Sequence, residues 1–419
     1  MRITAPTAPD RVDLDRIDLL DPRFHADGDP HTVWAALRDR APLHRQELPD
    51  GRAFWSVTRY DDACRVLGDH EAFTSERGSL IGQLGRDDAA SGRMLVATDP
   101  PRHTELRRPL NRLFTGKALA STEARIRQAV RTVLAPAVDG AEWDLARQAA
   151  TLPMAVAGLL LDLPEEDWPR IVRWTGMAAA PEDPEFRINN GPTTLAVAHH
   201  ELFAYLTEQH RLRAGTPGDD AFRLLMTMHA GDGPLTVEEV VVNCYSVLLG
   251  ANATTPHTVA GTVLALLERP DSFRAVRRDP ALIPSLVEEG LRWTSAASSF
   301  LRHAEHDVEL GGGTVPKGDA VAVWVGSANR DASVFPDPYR FDPARTGNRH
   351  IAFGFGPHYC LGAAVARITL RLFFEEAFAL VDTWELAGEP RHLASNFVAG
   401  LTALPVRTTV RPDTSRPAA

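Results

Sequence analysis

The residues best placed to do chemistry lie in one short stretch, Phe353-Gly354-Phe355-Gly356-Pro357-His358-Tyr359-Cys360-Leu361-Gly362. It presents a single thiol in a glycine-broken loop, followed at once by a helical run from Leu361 to Phe378. A thiol just before a helix N-terminus stands among unpaired N–H groups at the positive end of the macrodipole. Both favour thiolate, the form that binds metal. Gly356 and Gly362 would let backbone approach a flat ligand closely. One thiolate without a second cysteine nearby cannot build a structural zinc site, which takes four protein ligands. It can serve as the proximal ligand of a haem. A buried cysteine capping a helix is the bland alternative, and the commoner fate of a lone Cys.

Three further groups could carry chemistry. Gly250-Ala251-Asn252-Ala253-Thr254-Thr255-Pro256-His257 interrupts an otherwise apolar helical run. Pro256 cannot donate to the carbonyl of Asn252, so the turn opens into a kink there. Glycine, a kink and a hydroxyl in mid-helix cost stability and make sense beside a ligand. His103 and Arg107, four apart, share a helix face, which by default is a solvated basic face. Glu289 and Arg292, three apart, form by default a modest surface pair. His199-His200-Glu201 predicts a solvated face, because adjacent residues on a helix do not converge on a metal. Gly311-Gly312-Gly313 lacks the strand–helix setting of a dinucleotide site and predicts a hairpin turn.

The elements that must position these groups are helical for the most part. The chain has 419 residues, 44% hydrophobic and 24% charged, with net charge -10. That is an ordinary soluble globular composition. No run of 18 apolar residues predicts a membrane span, and residues 1–20 lack the apolar core of a signal peptide. Cys64, Cys244 and Cys360 show no disulfide spacing, which suits a reducing cytoplasm. The acidic balance argues against nucleic acid as a partner. Residues 1–30 read as a surface segment, His31–Arg40 as a helix, and 43–57 as a hairpin around Pro49-Asp50-Gly51. Residues 73–98 form a long connection with apolar islands at Leu80, Ile81 and Leu84; connections of that length are uncommon unless functional or disordered. The capping box Thr236-Val237-Glu238-Glu239 opens a run of some thirty residues that reaches Leu267 before Pro270. At 1.5 Å per residue it spans about 45 Å and is central.

The pattern Phe353-x-x-Gly356-x-His358-x-Cys360-x-Gly362, with the Gly250–Thr254 stretch and Glu289-x-x-Arg292, resembles the cytochrome P450 family. The resemblance runs from about residue 20 to 408. It implies a mainly α fold with small β-sheets and one domain over 1–419, with 1–20 and 409–419 flexible. A heme b would lie between the long central helix and the cysteine loop with its following helix. Cys360 would be the axial ligand, with Phe353, Gly356, Gly362 and Ala251 around the macrocycle. His103, Arg107, Arg302 and His358 would bind its propionates, and Thr254 and Asn252 would serve oxygen activation. Glu289 and Arg292 would be a buried structural pair. Leu80, Ile81, Leu84, Val247, Ser298, Ser299, Phe397 and Val398 would line the pocket of a small-molecule substrate.

The implied activity is a cytoplasmic monooxygenase that hydroxylates or epoxidises a small organic molecule in secondary metabolism. Electrons would come from a separate ferredoxin and ferredoxin reductase, meeting arginines such as Arg108, Arg112 and Arg371. Two alternatives stay open: ring closure or coupling without net oxygen insertion, and a non-enzymatic haem sensor. One departure stands out. Family members usually carry an acid immediately before the groove threonine, and this chain has Ala253. A water relay through Asn252, a proton from His257, or a reaction that needs less proton delivery would each account for it.

Overall fold

The computed structural model describes residues 1–412 except 87, 116–121 and 232. At the C-terminus, where flexibility is expected over 409–419, Thr409 and Val410 end a strand, and 413–419 lie outside the described residues. The N-terminal segment, expected to lie loose on the surface, is instead tied to the core. Met1 and Leu19 are buried among Trp34, Leu37 and Phe54, and a short helix, Pro22–Asp27, precedes α1 (Pro30–Arg40). Isolated apolar residues in an Asp- and Pro-rich segment still gain by joining the nearest core.

Strands β1 (Leu43–Glu47) and β2 (Ala53–Val57) form the expected hairpin. Next come α2 (Tyr60–Gly68), β3 (Phe73–Thr74), α3 (Arg102–Leu110) and, further on, β4 (Glu142–Asp144). The hairpin joins a five-stranded sheet in the order β1-β2-β6-β5-β3, where β5 is Ser299–Ala304 and β6 is Ala320–Trp324. The β2–β6 pairing is parallel and the rest antiparallel. Val308–Leu310 and Gly313–Val315 close on a two-residue turn with φ of +57° at Gly311 and +85° at Gly312, so the glycine triplet is the predicted hairpin turn.

Helices pack on the other side: α4 (Glu123–Leu134), α5 (Met154–Leu160), α6 (Trp168–Ala179) and α7 (Gly191–Arg213). The long central run is two helices, α8 (Val237–Asn252) and α9 (Thr255–Leu267), broken at Ala253-Thr254. The predicted kink is therefore a full break, with Pro256 in the first turn of α9, where a missing N–H costs nothing. The capping box forms as predicted, Thr236 Oγ1 accepting from the Glu239 N–H. The α8 half buries Val240, Cys244 and Leu248 against α5 and α7; the α9 half buries Val259, Val263 and Leu266 against α10 (Ile283–Thr294) and α11 (Ala363–Leu380).

Candidate active site

The cysteine loop is built by its glycines, though not as the sequence predicts. Gly354 and Gly356 adopt φ of +73° and +71°. A Cβ on Gly356 would stand 2.6 Å from the Gly68 Cα and 2.9 Å from the Leu67 carbonyl, so this glycine seats the loop on α2 rather than admitting a ligand. The Cys360 N–H donates to the Phe353 carbonyl at 2.8 Å, turning the thiol to the mouth of α11. At Gly362 a Cβ would meet Val365 Cγ1 at 3.7 Å and the Cys360 sulfur at 4.0 Å, ordinary contacts. Cys360 is exposed, yet closely enough surrounded that burial pushes its thiol up. The Gly362 N–H, Arg107 and Arg367 oppose that shift without reversing it. In the protein alone, desolvation thus outweighs the Gly362 N–H and the two guanidiniums, against the expected thiolate-favouring balance.

Beside the loop lies a cluster of cations and imidazoles. His103 (α3) and His358 stand with ring centroids 4.5 Å apart. The His103 Nε2 is buried without a partner, and burial, then His358 and Arg107, lower that ring to about 4. His358 Nε2 lies 3.2 Å from Asp99 Oδ1 and 3.3 Å from Ser75 Oγ. Asp99 also accepts from the Thr74 hydroxyl (2.6 Å) and from the Ser75 hydroxyl (2.7 Å) and N–H (3.0 Å). Burial alone would raise its carboxyl; hydrogen bonds from His358, Thr74 and Ser75 hold it well below the usual range. Sequence reasoning missed this hub, because Asp99-Pro100-Pro101 reads only as a helix start.

Arg302 (β5) is buried and donates to the Leu301 carbonyl at 2.8 Å; burial lowers it to about 10, with Asp99 opposing. Arg107 donates to the carbonyls of Pro357 (3.2 Å) and Tyr359 (2.5 Å). Among the described residues no carboxylate lies within ion-pairing distance of Arg302. A buried guanidinium without an anion and a buried ring nitrogen without a partner are costly as they stand, and both fit a ligand that brings carboxylates. A porphyrin does.

The facing wall is the α8–α9 break. The Thr254 hydroxyl donates to the Gly250 carbonyl at 3.1 Å. Gly250 is exposed in the last turn of α8, with open space where a Cβ would be. Ala251 and Leu361 pack against one apolar cluster. Asn252 turns onto α5, its amide nitrogen 3.3 Å from the Met154 sulfur, and its Oδ1 is buried without a partner. Ala253 packs with Ala179, Ala180, Leu393 and Val398. His257 is held against the Gly400-Leu401 turn, its Nδ1 accepting from the Leu401 N–H at 3.3 Å; burial lowers it to about 4.

The pocket residues named from sequence scatter. Ile81 and Leu84 are fully buried in the N-terminal core with Trp34 and Phe54, and Leu80 is half-buried. Val247 packs beside the α8 core. Ser298 Oγ is buried without a partner, and Ser299 Oγ donates to the Asn396 carbonyl at 2.7 Å. Phe397 and Val398 stand against Ala253, and Phe300, not singled out from sequence, meets Phe397 edge-on at 6.4 Å.

Glu289 and Arg292 (α10) are fully buried, with the guanidinium Nη2 2.7 Å from Oε1 and Nε 2.8 Å from Oε2. Arg292 also donates to the carbonyls of Asn329 and Pro338, and Glu289 accepts from the Asp342 N–H, Arg345 and Asn348. The side chains of Arg367 and His350 tie to Glu288 next door. Among the described residues no helix is long and apolar enough to cross a membrane.

Comparison with known proteins places this geometry. A sequence model described as Cytochrome P450 matches residues 281–379. The chain is 33% identical over 400 residues to Cytochrome P450 NovI of Streptomyces niveus, covering 95% of this chain and 97% of that protein. It is 32% identical over 403 residues to linalool 8-monooxygenase of Pseudomonas putida, covering 94% and 99%. The solved structure of P450 OxyD, involved in the biosynthesis of vancomycin-type antibiotics, is similar at a TM-score of 0.85 and 35% identity. That match covers 94% of this chain and 100% of that one.

Proposed function

The chain belongs to the cytochrome P450 family and is a haem-thiolate monooxygenase with heme b as cofactor; from that premise we propose that Cys360 is the axial ligand. We propose further that the substrate is a small organic molecule of secondary metabolism, hydroxylated or epoxidised with electrons from a separate ferredoxin and its reductase. The observation that carries the site reading is the pairing of an accessible Cys360 with two buried groups, Arg302 and His103, that lack counter-groups among the described residues. The haem supplies the redox chemistry that activates dioxygen. Arg302, His103, Arg107 and His358 would bind its carboxylates, Arg107 exchanging its bonds to the carbonyls of Pro357 and Tyr359 for them. Gly250 and Ala251 leave room on the facing wall. The Thr254 hydroxyl holds a proton at Oγ1 and delivers it by turning away from the Gly250 carbonyl. Water at the carbonyl of Asn252, which Pro256 cannot engage, refills it. The Asn252 side chain, engaged with Met154, is not the relay.

One feature favours a second reading. Ala253 stands just before the groove threonine, where the family pattern usually has an acid, and it packs in an apolar cluster. A reaction that draws less on delivered protons, such as ring closure or coupling, fits that wall. Reduced protein under carbon monoxide should show the strongly red-shifted Soret band of a thiolate haem. Turnover of candidate substrates with a ferredoxin pair, read by product mass, then separates oxygen insertion from coupling. A normal Soret position would remove the haem-thiolate site reading.

A further inference from the structure

The structure separates two residues that sequence reading put on one solvated face. His200 is exposed, whereas His199 is half-buried and turned onto α8, its Nε2 3.1 Å from the Tyr245 hydroxyl. Phe203, one turn along α7, stacks on the His199 ring at 5.3 Å and meets Tyr245 edge-on at 5.2 Å. Burial lowers the imidazole and raises the phenol, so both are neutral near pH 7. The charged group both rings feel is Asp88, in the 73–98 connection. Its carboxylate is already engaged by Gln83 Nε2 and the Ala90 N–H, each at 2.9 Å. A neutral imidazole has one donor and one acceptor nitrogen. In the tautomer whose Nε2 accepts from the buried phenol, the proton sits on Nδ1, for which no protein partner stands among the described residues.

Along α8 this polar corner runs into the stretch that ends at the Ala253-Thr254 break. Leu249 follows Tyr245 by four residues on the same helix stripe and packs with Ala253, Phe397 and Val398. Gly250 beside it faces open space. Nine residues separate Tyr245 from Thr254, about 13 Å along the helix. The corner thus gathers α7, α8 and the 73–98 connection at the far end of an apolar wall.

We propose that His199 and Tyr245 form a specificity site that donates a hydrogen bond to a neutral oxygen acceptor, a carbonyl or hydroxyl, on the substrate. The inference rests on the haem-thiolate reading and deepens it. The acceptor lies about 13 Å from the end of the substrate that meets Thr254, with the apolar middle along Leu249 and Phe397. Asp88 makes the corner unfavourable to carboxylates and phosphates.

The test uses imidazoles that coordinate the haem and carry alkyl tails of stepwise length ending in a primary amide, against tails of equal length ending in methyl. Affinity is read from the azole-induced Soret shift. In the wild type the amide preference should peak at one tail length. Tyr245→Phe and His199→Phe, which keep the ring stack, should each cut that preference about three- to tenfold, the worth of one hydrogen bond. Normal azole shifts with the same preference in all three proteins overturn this inference alone. A wild type that shows no azole shift overturns the haem-thiolate reading, and this inference with it.

Discussion

Two buried arginines in this protein, Arg292 and Arg302, teach opposite lessons. Arg292 is wholly enclosed and wholly satisfied: a bidentate carboxylate, then backbone carbonyls from the segment leading into the cysteine loop. Arg302 is buried too, but among the described residues its guanidinium donates to the Leu301 carbonyl and pairs with no carboxylate, and the His103 Nε2 is likewise without a partner. Burying a charge is costly in both places. Where the protein supplies the whole set of partners, the charge holds architecture. Where it withholds the counter-charge, the position is kept for a ligand that brings one. The same contrast divides the central helix, closed and apolar at Val259 and Val263 but open and polar at Gly250 and Thr254.

The comparison can be broken at several points. The largest effect belongs to Cys360→Ala: the red-shifted carbon monoxide band should vanish completely, and its survival would remove Cys360 as the ligand. Arg292→Ala should cost about 3–5 kcal/mol in urea unfolding and leave haem-poor protein, because it strands Glu289 in a dry site. Stable, haem-replete protein would end the structural reading of that pair. Arg302→Met should do the reverse in protein stripped of haem, raising unfolding stability by about 1–2 kcal/mol while weakening haem retention. Equal losses from both substitutions would show that the two arginines do not differ in kind.

Ala253→Asp comes next. The sequence alone suggests that restoring the usual acid would leave coupling of electrons to product intact or improve it. Packing against Ala179, Ala180, Leu393 and Val398 instead predicts a loss of about 1–3 kcal/mol on thermal unfolding, unless the new carboxylate stays neutral.

The smallest effect is on pH dependence. His25 and His257 are each lowered to about 4, chiefly by burial, against 6.5 unfolded. The unfolded chain binds more protons between those values, so stability rises with pH from about 4 to 6.5 and falls as acid is added through that window. His257→Asn should flatten part of that slope in unfolding titrations; an unchanged slope would mean that His257 takes up its proton without cost.

Much of the site was legible because it rests on local chemistry. Cys360 before a helix, glycines at positive φ, the Thr236 capping box and the break before Pro256 each depend on a few neighbouring residues. Composition and periodicity likewise foretold a helical molecule with a small sheet. What the chain could not announce were contacts between distant segments. Gly356 is needed because α2 passes beneath it, not because a ligand does. Asp99 became a hub only when the turn at Thr74-Ser75 was brought beside His358. Ile81 and Leu84 read as pocket residues until a core some forty residues away in the chain claimed them. His199 and His200 are indistinguishable neighbours in sequence, and only the packing of α7 on α8 turned one to Tyr245 and left the other in water. Burial and partnership are properties of the assembled fold, since a charge or a ring acquires its cost only when other segments exclude water from it.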